Sequence, residues 1–186
     1  GEEARPHMEL DSAFAGSRLR VWKRYSRFGW MAMVNSGMGS GFSICSSCGY
    51  AETVALQPQN SKKSPVHTNP LTGHDCGGTL TVRHLGYHFM TDVLEIKVSI
   101  PLLTEGAVYS LLYAILDGAS DALGIQRADI HGTFYYQQAG QPPSFILFDD
   151  VPGGAGHVKR IFANLRQTFT AALARVAHCE CGLDTS

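Results

Sequence analysis

Phe42-Ser43-Ile44-Cys45-Ser46-Ser47-Cys48-Gly49 decides how the first half of this chain is built. Phe42 to Cys45 reads as a short strand that runs into a turn. Two thiols on one such turn can both point inward and grip a single tetrahedral ion. Gly49 eases the turn behind them. Cys76, in Gly73-His74-Asp75-Cys76-Gly77-Gly78, sits in a second turn of the same character and supplies a third ligand. His67, His74 and His84 are the candidates for the fourth. Spacing favours His67, because the residues between it and Cys76 can loop back to the ion, whereas His74 offers an awkward bite. A closed Cys3His site is structural rather than catalytic. The competing readings are inert buried thiols or a redox pair. A thioredoxin-like pair opens a helix, and no helical pattern follows Gly49.

Around this motif the chain punctuates itself. Residues 1–17 carry no period and read as a flexible lead-in. Trp30 to Asn35 reads as a strand, and residues 57–75, rich in Pro, Asn, Ser, Lys, Thr and Gly, as a long loop. Thr79–Leu85 and Thr91–Ile100 alternate and are β-branched, which predicts two more strands. Glu105–Gly124 is predicted as a helix, since Val108, Leu111, Leu112, Ile115, Ala119 and Leu123 recur at helical spacing, with Gly124 as its cap. Gly132–Gln137 and Ser144–Asp149 read as strands. A last helix is expected from about Gly156 to Ala177, buried through Val158, Ile161, Phe162, Leu165, Phe169, Leu173 and Val176. The expectation is an α+β chain: a β-rich, zinc-bearing half over residues 18–104, then an αββα half over residues 105–186.

Composition bounds the function. The chain has 186 residues, 44% of them hydrophobic, and a formal net charge of −1, so no whole-molecule attraction to nucleic acid is expected. No apolar run approaches membrane-span length, and the polar, acidic first residues do not read as a signal peptide. The expected location is cytoplasmic. Five cysteines, two close pairs and one more, suit metal binding better than a secreted disulfide framework.

Two further stretches carry candidate chemistry. Between Ser12 and Ala51 there is no acidic residue, while Arg18, Arg20, Lys23, Arg24 and Arg27 alternate with Trp22, Tyr25 and Phe28. Cations neutralising phosphates and rings stacking on bases would hold a nucleic-acid strand; an amphipathic face with its aromatics in the core, or a joint to a motor domain, accounts for the same residues. Asp149-Asp150-Val151-Pro152-Gly153-Gly154-Ala155-Gly156-His157 reads as a glycine-rich turn into a helix, suited to an anion at Gly153, Gly154, Gly156 and His157, or simply to tight packing. It lacks the Gly-Lys-Ser/Thr ending of a phosphate-binding loop. Asp149, Asp150 and His157 could instead serve as acid and base groups of a self-contained hydrolase or nuclease. Cys179 and Cys181 form an incomplete second metal pair.

The run Asn35 to Gly49, the segment Gly73 to Gly77, and Leu85 to Ile96 resemble the MrfA-type zinc-binding domain. So do Ser110-Leu-Leu-Tyr-Ala-Ile-Leu-Asp-Gly118 and Phe148-Asp-Asp-Val-Pro-Gly-Gly-Ala-Gly-His-Val158, the most specific matches. The resemblance covers roughly residues 29–184. In that family the domain sits at the C-terminal end of bacterial superfamily-two DNA helicases, some serving DNA repair and others, DrmA-like, the DISARM defence against phage. It implies zinc as cofactor, and DNA and the helicase motor domains of a parent chain as partners. It implies an accessory role, not an enzyme in its own right. A purely structural protein-interaction module is a further alternative. The family continues past its Cys-x-Cys with a Cys-x-x-Cys; this sequence stops at Ser186, so a C-terminally truncated domain is expected.

Overall fold

A computed structural model of the chain describes residues 7–14, 18–56, 66–100 and 103–177. Its strands are β1 (Glu9–Leu10), β2 (Val21–Asn35), β3 (Phe42–Cys45), β4 (Ala51–Thr53), β5 (His67–Thr68), β6 (Asp75–Cys76), β7 (Leu80–Arg83) and β8 (Leu85–Val98). Helix α1 (Glu105–Leu123) follows, then β9 (Ile130–Tyr135), β10 (Ser144–Asp149), α2 (His157–Ala163) and α3 (Leu165–Ala177). The α+β class and the order of strands before helices are as expected from the sequence.

The chain divides into two compact units, residues 1–30 with 89–186, and residues 31–88. The expected division at Thr104 differs from this. The difference arises because β8, placed in the first half, hydrogen-bonds to β10 of the second, with Phe145 opposite Ile96 and Leu147 opposite Leu94. Residues 9–14 of the expected lead-in are also ordered. Leu10 pairs with Trp22, and Phe14 meets Phe169 edge to face at 5.5 Å.

In the first unit a five-stranded sheet runs β1-β2-β8-β10-β9. Leu94 and Ile96 of β8, with Phe145 and Leu147 of β10, point to one face and meet Val108, Leu112, Ile115, Val158, Ile161 and Leu165 of the helices. Helix α1 starts where the Thr104 hydroxyl accepts the Ala107 amide and stops at Gly124 in the left-handed region, φ +59°. It crosses α3 closely: a Cβ on Gly118 would lie 2.6 Å from the backbone of Thr168 and Ala172.

The last helix is two helices rather than one. Asn164 leaves helical geometry at φ −126°, and its side chain and amide both turn back to the Arg160 carbonyl. That local bonding competes with the helical ladder and ends α2. Val158, Ile161 and Leu165 are buried as expected, but Leu173 is 69% and Val176 59% exposed.

The second unit has a different economy. It holds a three-stranded sheet β4-β3-β7, the hairpin β5-β6 and the ends of β2 and β8. The expected long loop over 57–75 is in part that hairpin. Asn69 folds it, its Oδ1 accepting from Leu71 at 2.9 Å and Thr72 at 3.3 Å. Among the described residues of this unit, Cys45 is the one buried apolar side chain.

Candidate metal centre

Three backbone features bring the ligands together. Strand β3 ends at Cys45, and the turn after it closes with Gly49 N–H to the Cys45 carbonyl (3.0 Å) and Cys45 N–H to the Tyr50 carbonyl (2.9 Å). The pairing of β3 with β7 sets Cys45 opposite Leu80, just beyond the Cys76 turn. The β5/β6 register puts His67 directly across from Cys76.

The result is a cluster of Cys45, Cys48, His67 and Cys76, whose ligand atoms all lie within 4.8 Å of one another. Cys45 Sγ is 4.0 Å from Cys76 Sγ, and Cys48 Sγ is 3.2 Å from His67 Nε2. The edges of a tetrahedron around zinc, with metal–sulfur bonds of about 2.3 Å, are roughly 3.5–3.8 Å. The donor set therefore fits zinc in size as well as in chemistry. His67 presents Nε2 to the sulfurs, while its buried Nδ1 has no hydrogen-bond partner. The Tyr50 ring lies over the imidazole at 4.8 Å. His74 and His84, the other candidates for the fourth position, are exposed and outside the cluster.

Local electrostatics favour thiolate at Cys45 and oppose it at Cys48. Burial raises the Cys45 thiol, but the amides of Cys48 and Ser47 outweigh it and bring it down to about 6. Burial pushes Cys48 up, and the neighbouring Cys45 and Cys76 add to the rise. Two thiols this close resist losing both protons unless a cation compensates the charge. Gly78 is a support that the sequence reading missed. Its amide donates to Cys76 Sγ at 3.4 Å, and a Cβ there would lie 2.6 Å from Cys45 Sγ. The Gly77-Gly78 pair directly after Cys76 was the available signal.

The glycine turn does cradle an anion, but the anion is internal. Asp149 Oδ2 accepts the amides of Ala155 (2.6 Å) and His157 (3.1 Å), and Oδ1 accepts that of Val158 (2.9 Å). Asp149 is fully buried, so this corrects the expectation of an external anion at Gly153, Gly154, Gly156 and His157. The amides that would bind a phosphate are already occupied. Nor do Asp149, Asp150 and His157 form an acid–base group. Asp150 pairs with His131 at 3.2 Å, and His157 faces Asp129 at 3.7 Å.

The basic stretch lies on β2 and the residues that lead into it, and its members separate. Lys23 sits 3.0 Å from Asp11, donates to the Phe162 carbonyl at 2.9 Å and covers the Phe162 ring. Arg24 pairs with buried Glu95, whose other oxygen accepts the Tyr135 hydroxyl at 2.8 Å. Tyr25 donates to Asp92 at 2.9 Å. Burial, followed by that bond to the carboxylate, pushes the Tyr25 phenol up to about 12. Lys23 and Arg24 are thus neutralised inside the fold, and Arg18, Arg20 and Arg27 are exposed. Cys179 and Cys181 lie outside the described residues. No helix among those described is long and apolar enough to cross a membrane.

Comparison with known proteins places the chain. Residues 111–184 match the family model of the MrfA Zn-binding domain. The Druantia protein DruE of Escherichia coli (strain UMEA 4076-1) is 30% identical over 178 residues, an alignment that covers 82% of this chain and 9% of that protein. Two crystal structures of the DUF1998 helicase MrfA are similar. One, bound to DNA, has a TM-score of 0.44 at 16% identity and covers 96% of this chain and 22% of that one. The other, bound to DNA and AMPPNP, has a TM-score of 0.36 at 14% identity, covering 96% and 19%. The chain spans about a tenth of the curated relative it matches. The Cys3His cluster lies N-terminal to the matched residues. Over residues 111–184, this chain is similar to the MrfA Zn-binding domain family.

Proposed function

We propose that this chain is a zinc-binding accessory region of a helicase-like ATPase that acts on DNA, where it assists nucleic-acid binding or orients the motor domains in DNA repair or phage defence. The observation that carries the reading is the Cys3His cluster at the centre of a unit with almost no apolar core. Zinc held by Cys45, Cys48, His67 and Cys76 would supply folding energy and a closed coordination sphere, with no open position for substrate. That is a scaffold's chemistry, not a catalyst's. Arg18, Arg20 and Arg27 would supply phosphate contacts. The family resemblance suggests DNA as the polyanion, and DNA repair or phage defence as the setting.

The test is fluorescence anisotropy of labelled single-stranded and duplex DNA at several salt concentrations. Binding whose log affinity falls linearly with log salt supports the DNA reading. Absence of binding at the lowest salt refutes it for this chain. A second reading, docking on a partner protein, is favoured by the apolar groove of about 670 Å³ between α1 and α3, where Leu173 and Val176 are exposed. Co-purification with a partner that Leu173→Glu abolishes, without DNA binding, would favour it.

A further inference from the structure

We infer that Tyr50 is a positioning residue of the metal centre, its ring holding the His67 imidazole in the ligating orientation that a hydrogen bond at the second ring nitrogen would otherwise fix. The inference rests on the zinc reading above and adds a residue to that site. A histidine that ligates through Nε2 does so as the neutral ring, with its proton on Nδ1. Ligating histidines almost always donate that proton to a carboxylate, a backbone carbonyl or a water, which sets both tautomer and ring orientation. His67 Nδ1 is buried and has no hydrogen-bond partner among the described residues. Its ring meets the Tyr50 ring instead, at 4.8 Å between centroids and tilted by 33°.

The three sulfurs are held in another way, by backbone amides. Those of Ser47 and Cys48 serve Cys45, that of Tyr50 serves Cys48, and that of Gly78 donates to Cys76 Sγ at 3.4 Å. The Tyr50 carbonyl also accepts the Cys45 N–H at 2.9 Å. His67 arrives on β5, a two-residue strand paired with β6. The cysteine turn reaches its imidazole with two groups, the Cys48 sulfur on Nε2 and the Tyr50 ring on the face. The Tyr50 ring is itself oriented. Its hydroxyl donates to Glu52 Oε2 at 2.9 Å, and Glu52 stands on β4 opposite Ser43 of β3. One residue therefore meets three of the four ligands, its backbone serving Cys45 and Cys48 and its side chain serving His67. A substitution at this position removes the ring and leaves the backbone contacts available.

The experiment uses the full chain with two metals. Cobalt(II) reports the ligand geometry through its visible absorption, and zinc affinity is read by competition with a chromophoric chelator. Tyr50→Phe keeps the ring and should match the wild-type chain in both. Tyr50→Leu should shift the cobalt bands and weaken zinc binding by about 10-fold or more, the loss expected when the outer partner of a ligating histidine is removed. An unchanged spectrum and affinity in Tyr50→Leu would overturn the inference, as would a loss in Tyr50→Phe equal to that in Tyr50→Leu. In a His67→Cys chain, which has no imidazole to hold, Tyr50→Leu should cost nothing further. The same loss in both backgrounds would mark Tyr50 as general packing and overturn its role toward His67. A wild-type chain that takes up neither metal would overturn the zinc reading itself and this inference with it.

Discussion

His67 stands directly across from Cys76 in the β5/β6 hairpin, so one backbone register fixes two of the four ligand positions at once. The other two come from the turn that ends β3. The site is therefore what joins the two small sheets of residues 31–88, a unit in which Cys45 is the one buried apolar side chain among the described residues. Structural zinc contributes on the order of 10 kcal/mol to folding. Chelation, or Cys45→Ser or Cys76→Ser, should abolish hydrogen-exchange protection across residues 31–88 and leave α1 and α3 protected. Zinc content should fall from one ion per chain. Equal loss of protection in both units would show that the metal is not confined to this role.

Asp149 is the second structural pivot, since its two oxygens accept three amides at the start of α2. Asp149→Asn keeps the shape but removes the charge and leaves one acceptor oxygen. Hydrogen bonds to a charged group and the favourable field at a helix N-terminus are both lost, so the variant should be about 2–4 kcal/mol less stable. Urea unfolding monitored by circular dichroism measures this. Inorganic phosphate should stabilise the wild-type chain no more than sulfate does, because the amides are already taken.

How much of this was legible in the sequence depends on the range of the interaction. Helix α1 is legible to within a residue of its end, because the recurrence of Val108, Leu112 and Ile115 and the cap at Gly124 are local signals. The cysteine cluster was legible because ligand identity and turn chemistry are local too. The sequence signals strand β2 only from Trp30 onward. Its earlier part, from Val21, alternates around Lys23, Arg24 and Tyr25, whose partners Asp11, Glu95 and Asp92 come from β8 and from the segment between β1 and β2. A charged residue looks solvated until its distant partner is known. The same blindness made the glycine turn look like a site for an external anion, when Asp149 fills it.

Glu95 gives stability a defined pH dependence. Burial raises its carboxyl, but hydrogen bonds from Tyr135 and Arg24 and the charge of Arg24 outweigh that and hold it below the ordinary value of 4.5. A depressed folded-state value means the stabilisation is complete above the unfolded-state value and fades as pH falls through the folded-state one. The wild-type chain should therefore lose stability from about pH 4.5 downward. Glu95→Gln should be less stable near neutrality and show a shallower decline over that acidic window. Parallel acid-unfolding curves for the two proteins would show that the Arg24–Glu95–Tyr135 contact contributes nothing.

The cations of β2 and its approach should separate into two classes on mutation. Arg18, Arg20 and Arg27 are exposed, so changing each to Ala should leave thermal stability within about 0.5 kcal/mol. Each change should weaken DNA binding uniformly across sequences, and each lost phosphate contact should lower the salt slope by about one. Lys23→Ala should do the reverse. It removes the cation between Asp11 and the Phe162 carbonyl, and with it the aliphatic stem packed on the ring. An uncompensated, nearly buried Asp11 follows, at a cost of about 1–3 kcal/mol, with little change in the salt slope of what folds. If Lys23→Ala instead altered the slope as strongly as Arg20→Ala, its ion pair with Asp11 would have to open when DNA binds.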